Sequence, residues 1–184
     1  MKGLLFTELL AFVGDRWGDA TVDRLVRLEP HPAGGAYDPV GRYDAAHWLR
    51  LVSALGIETG TAEGALLGAF GEHLFARFAV LYPVFFAGID SAATFLSRLD
   101  THVHDHVRRL HPDAELPRLE VHTCPGGGID IVYSSPRPLA DLAEGLIRGC
   151  VARFADPLVL ERHDGASAVR FTLRRSRLNN VQVD

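Results

Sequence analysis

Three histidines lie within five positions of one segment, at His102, His104 and His106. Imidazole is a common ligand of transition metals at neutral pH, because its neutral form offers a ring nitrogen to the metal. His102 and His106 are four residues apart, so on a helix they would share one face and could bind zinc. However, the helical zinc-protease pattern has a Glu after the first His, and Val103 stands there. The segment therefore predicts metal binding but leaves the metal and its ligand open.

A second zinc pattern is also close to this segment. Metallo-hydrolases carry His-x-His-x-Asp-His in a loop after a strand, whereas here Asp105 comes one position early and its surroundings favour a helix. A zinc-dependent hydrolase using His102, His104 and His106 would also need an acidic residue as base and an open metal position. Such a hydrolase is the alternative function, and each histidine could instead be simply solvated or hydrogen-bonded.

The three histidines belong to a predicted helix that runs from about Ser91 to Leu110. Its apolar residues repeat at intervals of three and four and define one buried stripe, which comprises Ala92, Leu96, Leu99, Val103, Val107 and Leu110. On an ideal helix, at about 100° per residue, His106 lies near the edge of the stripe. His102 and His104 flank the stripe on opposite sides, so periodicity alone does not identify the ligand.

The other elements divide the chain into a helical part and a mixed part. Helical spacing of apolar residues, with caps and breakers, predicts further helices over residues 2–17, 19–28, 44–55 (stopped by Gly56), 61–80 and 138–154. Alternating patterns predict two β-hairpins, 119–124 with 129–134 around a Pro-Gly-Gly-Gly turn, and 157–163 with 167–173. The expected fold is α+β, with a helical N-terminal lobe packed on a lobe that contains a roughly four-stranded antiparallel sheet.

Composition restricts the function classes. The chain has 184 residues, 47% of them hydrophobic and 23% charged, and a net charge of −4, which is typical of one ordinary globular domain. Nucleic-acid binding is disfavoured because no concentrated basic face is visible. Cys124 and Cys150 form no metal motif and are interpreted as small buried residues in a reducing compartment. Residues 1–8 do not resemble a signal peptide and no apolar run approaches membrane length, so a soluble cytoplasmic protein is expected.

A second group of polar residues, Tyr133, Ser135 and Arg137, occupies alternate positions after a predicted strand. At the end of an extended strand, alternate side chains point to one side. An arginine fork with two hydroxyls on one side can hydrogen-bond an anion.

Motifs along essentially the whole chain resemble those of the haem nitric oxide/oxygen binding (H-NOX) family. They are the opening Met1–Phe6, Arg16-Trp17-Gly18, the segment His104–Pro117, the Tyr-x-Ser-x-Arg signature at Tyr133–Arg137, and Gly145–Gly149. The resemblance implies a single haem-binding domain over residues 1–184, with a helical lobe at about 1–60 and a haem-cradling lobe at about 61–184, and with haem between them. It also implies a gas sensor without catalytic activity.

The resemblance assigns roles to several residues. It implies that His104 binds the iron of a ferrous haem b and that Pro117 presses on the porphyrin. It also implies that Tyr133, Ser135 and Arg137 form a clamp that binds the propionates. Haem iron needs a neutral imidazole whose other ring nitrogen is held by an acceptor.

One departure from the family pattern concerns the spacing before His104. The match requires one additional residue after Leu99, and a single insertion in a helix is usually absorbed as a π-bulge. We therefore predict an irregularity between Leu99 and His104. In a regular helix, His102 or His106 would compete as ligand.

The resemblance also indicates which gas is bound. Leu142 stands where dioxygen-binding members have a hydrogen-bonding Tyr, and the partners of that Tyr correspond to Leu9 and Leu74. The expected distal pocket has no hydrogen-bond donor and comprises Leu5, Leu9, Leu74, Phe78, Leu142 and Leu146. The prediction is a monomeric sensor that binds nitric oxide (and carbon monoxide), excludes dioxygen, and signals to a separate histidine kinase or cyclic-di-GMP enzyme.

Overall fold

Four helices form the first half of the chain. In the computed structural model, which describes residues 1–31, 34–112, 114–124 and 128–176, they are α1 (Gly3–Trp17), α2 (Asp19–Leu28), α3 (Ala45–Thr59) and α4 (Glu63–Leu81). Asp44 caps α3 by accepting a hydrogen bond from the backbone N–H of Ala46. The prediction that Gly56 ends this helix is wrong. Gly56 stays helical, and the helix ends at Gly60, which adopts the left-handed conformation with φ of 66°.

The second half alternates helices with strands. A 3-10 turn at Pro83–Phe86 is followed by three consecutive helical segments, the α-helix α5 (Ala92–Arg98), a π-helical segment (Leu99–His104) and the α-helix α6 (Asp105–Leu110). The last helix, α7 (Ala140–Phe154), lies between two pairs of strands. Ser91 begins the histidine helix by accepting a hydrogen bond from the backbone N–H of Thr94.

One antiparallel sheet contains the four strands β1 (Arg118–Cys124), β2 (Gly128–Ser134), β3 (Leu158–Asp164) and β4 (Val169–Arg175), in the order β1-β2-β4-β3. Tyr133 pairs with Leu119 on one side and with Val169 on the other. Both predicted hairpins and the α+β class are confirmed. The turn predicted between the first two strands falls on residues 125–127, outside the described residues.

Two apolar clusters form the core. The first lies among α1, α3 and α4 and includes Leu9, Trp48 and Leu74. The second lies between the sheet and α5 and α7, and Phe171 of β4 is fully buried there. Leu146 of α7 packs against both clusters. The two clusters therefore meet along α7, next to α4.

Close packing between α4 and α7 depends on glycine. A Cβ atom built on Gly145 would lie 2.0 Å from the carbonyl oxygen of Gly68, and one built on Gly71 would lie 2.5 Å from the carbonyl oxygen of Leu142. Any side chain at these two positions would therefore force the helices apart. The apolar periodicity of the sequence did not reveal this contact.

Helix α4 is 19 residues long and is apolar enough, by length and composition alone, to cross a membrane. It is the one such helix among the described residues, and it contradicts the expectation that no segment approaches this length. One helix of this kind is weak evidence for a membrane span, because a core helix meets the same criterion. Leu67, Phe70 and Leu74 of α4 are buried in the first cluster.

Candidate functional site

The helix that carries the three histidines is irregular at the predicted place. Residues Leu99–His104 form a π-helical segment between α5 and α6. A π turn spans one more residue than an α turn, so the segment absorbs the additional residue predicted from the sequence. Leu99 and Val103 pack against the second cluster, and the side chain of His104 is only 13% exposed.

Exposure to solvent distinguishes His104 from His102 and His106. His102 and His106 are exposed, and their rings lie 5.9 and 5.3 Å from the ring of Phe85, measured between centroids. Across the part of the chain that the structure describes, no three His, Cys, Asp or Glu side chains are arranged to hold a metal ion. The zinc alternative therefore has no geometric support within that part.

Asp100 holds one ring nitrogen of His104. The Nδ1 atom of His104 lies 3.1 Å from Oδ1 of Asp100, while Nε2 takes part in none of the hydrogen bonds found among the described residues. Burial lowers the pKa of His104 more than Asp100 raises it. The imidazole is therefore neutral near pH 7, with Nδ1 donating to a carboxylate and Nε2 available as a ligand.

Arg108 binds the same carboxylate. Its Nη2 atom lies 2.9 Å from Oδ1 of Asp100, and its Nη1 atom lies 2.7 Å from Oδ1 of Asp105. Burial acts to raise the pKa of Asp100, but the hydrogen bonds from Arg108 and His104 lower it overall. Asp100 is therefore an anion that is shared between an imidazole and a guanidinium group.

The predicted clamp residues lie near one another, although not along an extended strand. Strand β2 ends at Ser134, and the chain then bends over residues 136–138. The Ser135 hydroxyl accepts a hydrogen bond from the backbone N–H of Arg137 at 3.1 Å, which stabilises the bend. The expectation that Tyr133, Ser135 and Arg137 alternate along a strand is thus wrong, because a local side-chain hydrogen bond turns the chain.

Tyr133, Ser135 and Arg137 are nevertheless joined by direct interactions. Burial raises the pKa of the Tyr133 phenol, opposed by a hydrogen bond with Ser135 and by the charge of Arg137. The Arg137 guanidinium donates to the backbone carbonyl of Glu115 at 3.2 Å and also contacts the Glu115 carboxylate. Arg137 therefore links the bend after β2 to the segment just before Pro117, which is half-buried.

The six predicted distal residues belong to one apolar cluster. Leu9, Leu74 and Leu142 are buried, and the half-buried members that pack against the same cluster are Leu5, Phe78 and Leu146. All six are hydrocarbon side chains and cannot donate a hydrogen bond. Two donors in the same region are engaged, since the Trp48 indole N–H bonds to the Leu5 carbonyl at 3.0 Å and the Tyr37 hydroxyl contacts His47 Nε2 at 2.7 Å.

A polar group between α1 and α4 was not found from the sequence. Arg77 donates from Nε and Nη2 to the buried carboxylate of Glu8, at 2.8 and 3.2 Å. His73 Nε2 lies 3.7 Å from the same carboxylate and is buried without a hydrogen bond among the described residues. Glu8 and His73 directly precede the distal residues Leu9 and Leu74 in the chain. In the sequence, only the spacing of these polar residues along two predicted helices could have suggested that they meet.

The two cysteines differ in their surroundings. Cys150 is fully buried, and burial raises the pKa of its thiol. Cys124 is half-buried, with its Sγ atom 3.5 Å from Oδ2 of Asp130. Neither residue contributes to the group around His104.

The residues described above fit the requirements of haem. A neutral imidazole with one nitrogen held by a carboxylate suits an axial ligand. An arginine with two neighbouring hydroxyls suits the propionates. Half-buried apolar side chains, among them Leu5, Phe78 and Leu146, suit the faces of a porphyrin. Together these features define a haem-binding α+β domain.

Comparisons with known proteins agree with this class. The model of the Haem-NO-binding family matches residues 2–162, and the chain belongs to that family. The H-NOX resemblance is thereby confirmed, and domains of this family are haem-based gas sensors and are not catalytic. No curated protein matches.

Solved H-NOX structures have the same fold. An unliganded Fe(II) H-NOX protein from K. algicida is 28% identical, with 99% of this chain and 100% of that chain covered and a TM-score of 0.85. The IWP-051-bound H-NOX from Shewanella woodyi in the Fe(II)CO state is 29% identical, with 100% and 99% covered and a TM-score of 0.86. An S. oneidensis H-NOX in the Fe(II)NO state reaches 0.89 over 96% and 99% of the chains at 22% identity, and this likeness shows the fold alone.

Proposed function

We propose that this protein senses nitric oxide through a ferrous haem b bound by His104. The observation that carries the proposal is the π segment Leu99–His104, in which the His104 side chain is only 13% exposed and Asp100 holds its Nδ1 atom. Haem supplies the iron centre to which the gas binds. Tyr133, Ser135 and Arg137 would bind its propionates, and Pro117 would press on the porphyrin.

The apolar distal wall supports nitric oxide, and carbon monoxide, over dioxygen. Nitric oxide binds ferrous haem strongly without a hydrogen-bond donor, whereas bound dioxygen needs a distal donor for stability. Leu142 and its neighbours Leu9 and Leu74 offer none. Two donors of the same apolar cluster, Trp48 and Tyr37, already have partners within the protein.

The helix of His104 provides the route for the signal. With haem bound, nitric oxide would weaken the bond to His104, and this side chain and the π segment would then relax. Leu99 and Val103 pack against the sheet core, so their displacement would change the packing there as a two-state switch. The protein would act as a cytoplasmic monomer without catalysis and signal to a separate histidine kinase or cyclic-di-GMP enzyme.

Absorption spectra of the purified protein test the ligand. We expect a Soret band whose ferrous form depends on His104, so that His104→Ala removes it or changes its coordination. The matched controls His102→Ala and His106→Ala lie in the same helix at exposed positions and should leave the spectrum unchanged. A colourless protein that holds stoichiometric zinc would overturn the proposal in favour of the hydrolase.

A second spectrum tests the choice of gas. The reduced protein, exposed to air, should form no stable dioxygen complex, while nitric oxide should bind at once. A stable dioxygen spectrum would contradict the reasoning from Leu142 and leave haem binding itself untouched.

A further inference from the structure

We propose that Asp100 and Arg108 set the strength of the bond from His104 to the haem iron, and that they act in opposite directions. Asp100 is a positioning residue that strengthens the bond. This assignment rests on the proposed function, which makes His104 the iron ligand. Arg108 is assigned as a residue that moderates the bond. The bond that nitric oxide must weaken would then be tuned by two side chains that act through the imidazole of His104.

Asp100 and His104 are four residues apart, a spacing that makes side chains neighbours on a helix. Asp100 and His104 are both within Leu99–His104, and their Oδ1 and Nδ1 atoms lie 3.1 Å apart. His104 is 13% exposed and Asp100 is 39% exposed, so the carboxylate reaches the imidazole from the solvent side.

An anionic acceptor at Nδ1 makes the imidazole a stronger ligand. When Nδ1–H donates to a carboxylate, the ring orientation and tautomer are fixed and Nε2 becomes more basic. Loss of such a partner commonly weakens metal binding by about 10- to 100-fold. Asp100 should therefore hold His104 on the iron more firmly than a neutral acceptor would.

Arg108 competes for the same oxygen atom. Its Nη2 atom donates to Oδ1 of Asp100 at 2.9 Å, and this is the oxygen that His104 contacts. The guanidinium group withdraws negative charge from the acceptor, so it reduces the effect of Asp100 on the imidazole. Asp105 holds the other arm of Arg108 at 2.7 Å, which keeps the guanidinium in place at the start of α6.

Substitutions that each remove one charge can separate the two roles. Asp100→Asn keeps the size of the acceptor and removes its charge, while Arg108→Gln removes the competing cation. Arg109→Gln is the matched control, because Arg109 is an exposed neighbour that has no ion pair among the described residues. The readouts are the iron–histidine stretching frequency of the ferrous protein and the fraction of its nitric oxide complex that retains His104.

The two substitutions should shift both readouts in opposite directions. Asp100→Asn should lower the stretching frequency, decrease the fraction that retains His104, and speed haem loss by about 10-fold, the lower end of the usual range for such partners. Arg108→Gln should raise the frequency and the retained fraction. Arg109→Gln should change neither. Nitrogen NMR of the wild-type carbon monoxide complex should show the His104 proton on Nδ1, a readout that needs no variant to fold.

The outcomes distinguish this proposal from the function on which it rests. If the iron–histidine signal depends on His104 but both variants behave like Arg109→Gln, or if both shift in one direction, the tuning proposal is wrong and the sensor proposal stands. A His104 that lacks a proton on Nδ1 would likewise refute the tuning proposal alone. If the signal survives His104→Ala, the ligand assignment is wrong and the tuning proposal fails with it.

Discussion

Replacement of Gly145 by alanine tests how closely α4 and α7 pack beside the candidate distal wall. The new Cβ atom would lie 2.0 Å from the carbonyl oxygen of Gly68 and 2.8 Å from its carbonyl carbon. Both are backbone atoms, so no flexible side chain can move aside. Since real Cβ contacts shorter than 3.0 Å are essentially never found, the helices must separate by about 1 Å at this crossing.

The expected magnitude is the difference between two opposing effects. A radial gap of about 1 Å removes up to about half of the dispersion energy of the contacts that line it, and overpacking of this kind typically costs about 1–3 kcal/mol. Because the clash is with backbone atoms, we take the upper end of this range, about 3 kcal/mol, as the cost of overpacking. Alanine is favoured over glycine in a helix by about 1 kcal/mol. The net expectation is a loss of about 2 kcal/mol, which for a protein of this size lowers Tm by roughly 4–8 °C.

Urea and thermal denaturation, followed by circular dichroism at equal haem saturation, measure this loss. Gly14→Ala is the matched control, because Gly14 is also inside a helix but a Cβ there would meet its nearest neighbour at 3.5 Å, an ordinary contact. The control should raise stability by about 0.5–1 kcal/mol through helix propensity alone. If Gly145→Ala is as stable as Gly14→Ala, the helices are not in the close contact described here.

Two further predictions concern buried polar groups. Arg77→Met should lower the urea midpoint more than the double change Glu8→Gln with Arg77→Met, because the single change leaves a buried carboxylate without its partner; equal midpoints would contradict this. Burial, helped by the charges of His31 and Arg50, lowers the pKa of His47 below its ordinary value. The unfolded chain therefore binds this proton more readily, and stability should fall as the pH drops through about 6.5 towards the lower folded pKa. His47→Gln should flatten this part of the pH profile of urea midpoints, and an unchanged slope would assign it to other groups.

Local patterns in the sequence determined the elements and one irregularity. Apolar periodicity, together with caps and turn residues, predicted the main helices and both hairpins, since those signals depend on residues a few positions apart. The additional residue after Leu99 predicted the π segment, because a helix can absorb an insertion only by widening a turn. The residues of the H-NOX resemblance, not helical periodicity, singled out His104 over His102 and His106.

Only the tertiary structure decided which residues meet when they are far apart in the chain or lie outside regular helices and strands. The approach of Gly145 to Gly68 and the pairing of Arg77 with Glu8 join residues more than sixty positions apart, and no local period encodes such contacts. The bend that Ser135 stabilises after β2 replaced the extended geometry expected there. Packing selects these contacts because each must satisfy shape, charge and hydrogen bonding together, whereas a sequence pattern reports only which face of an element is apolar.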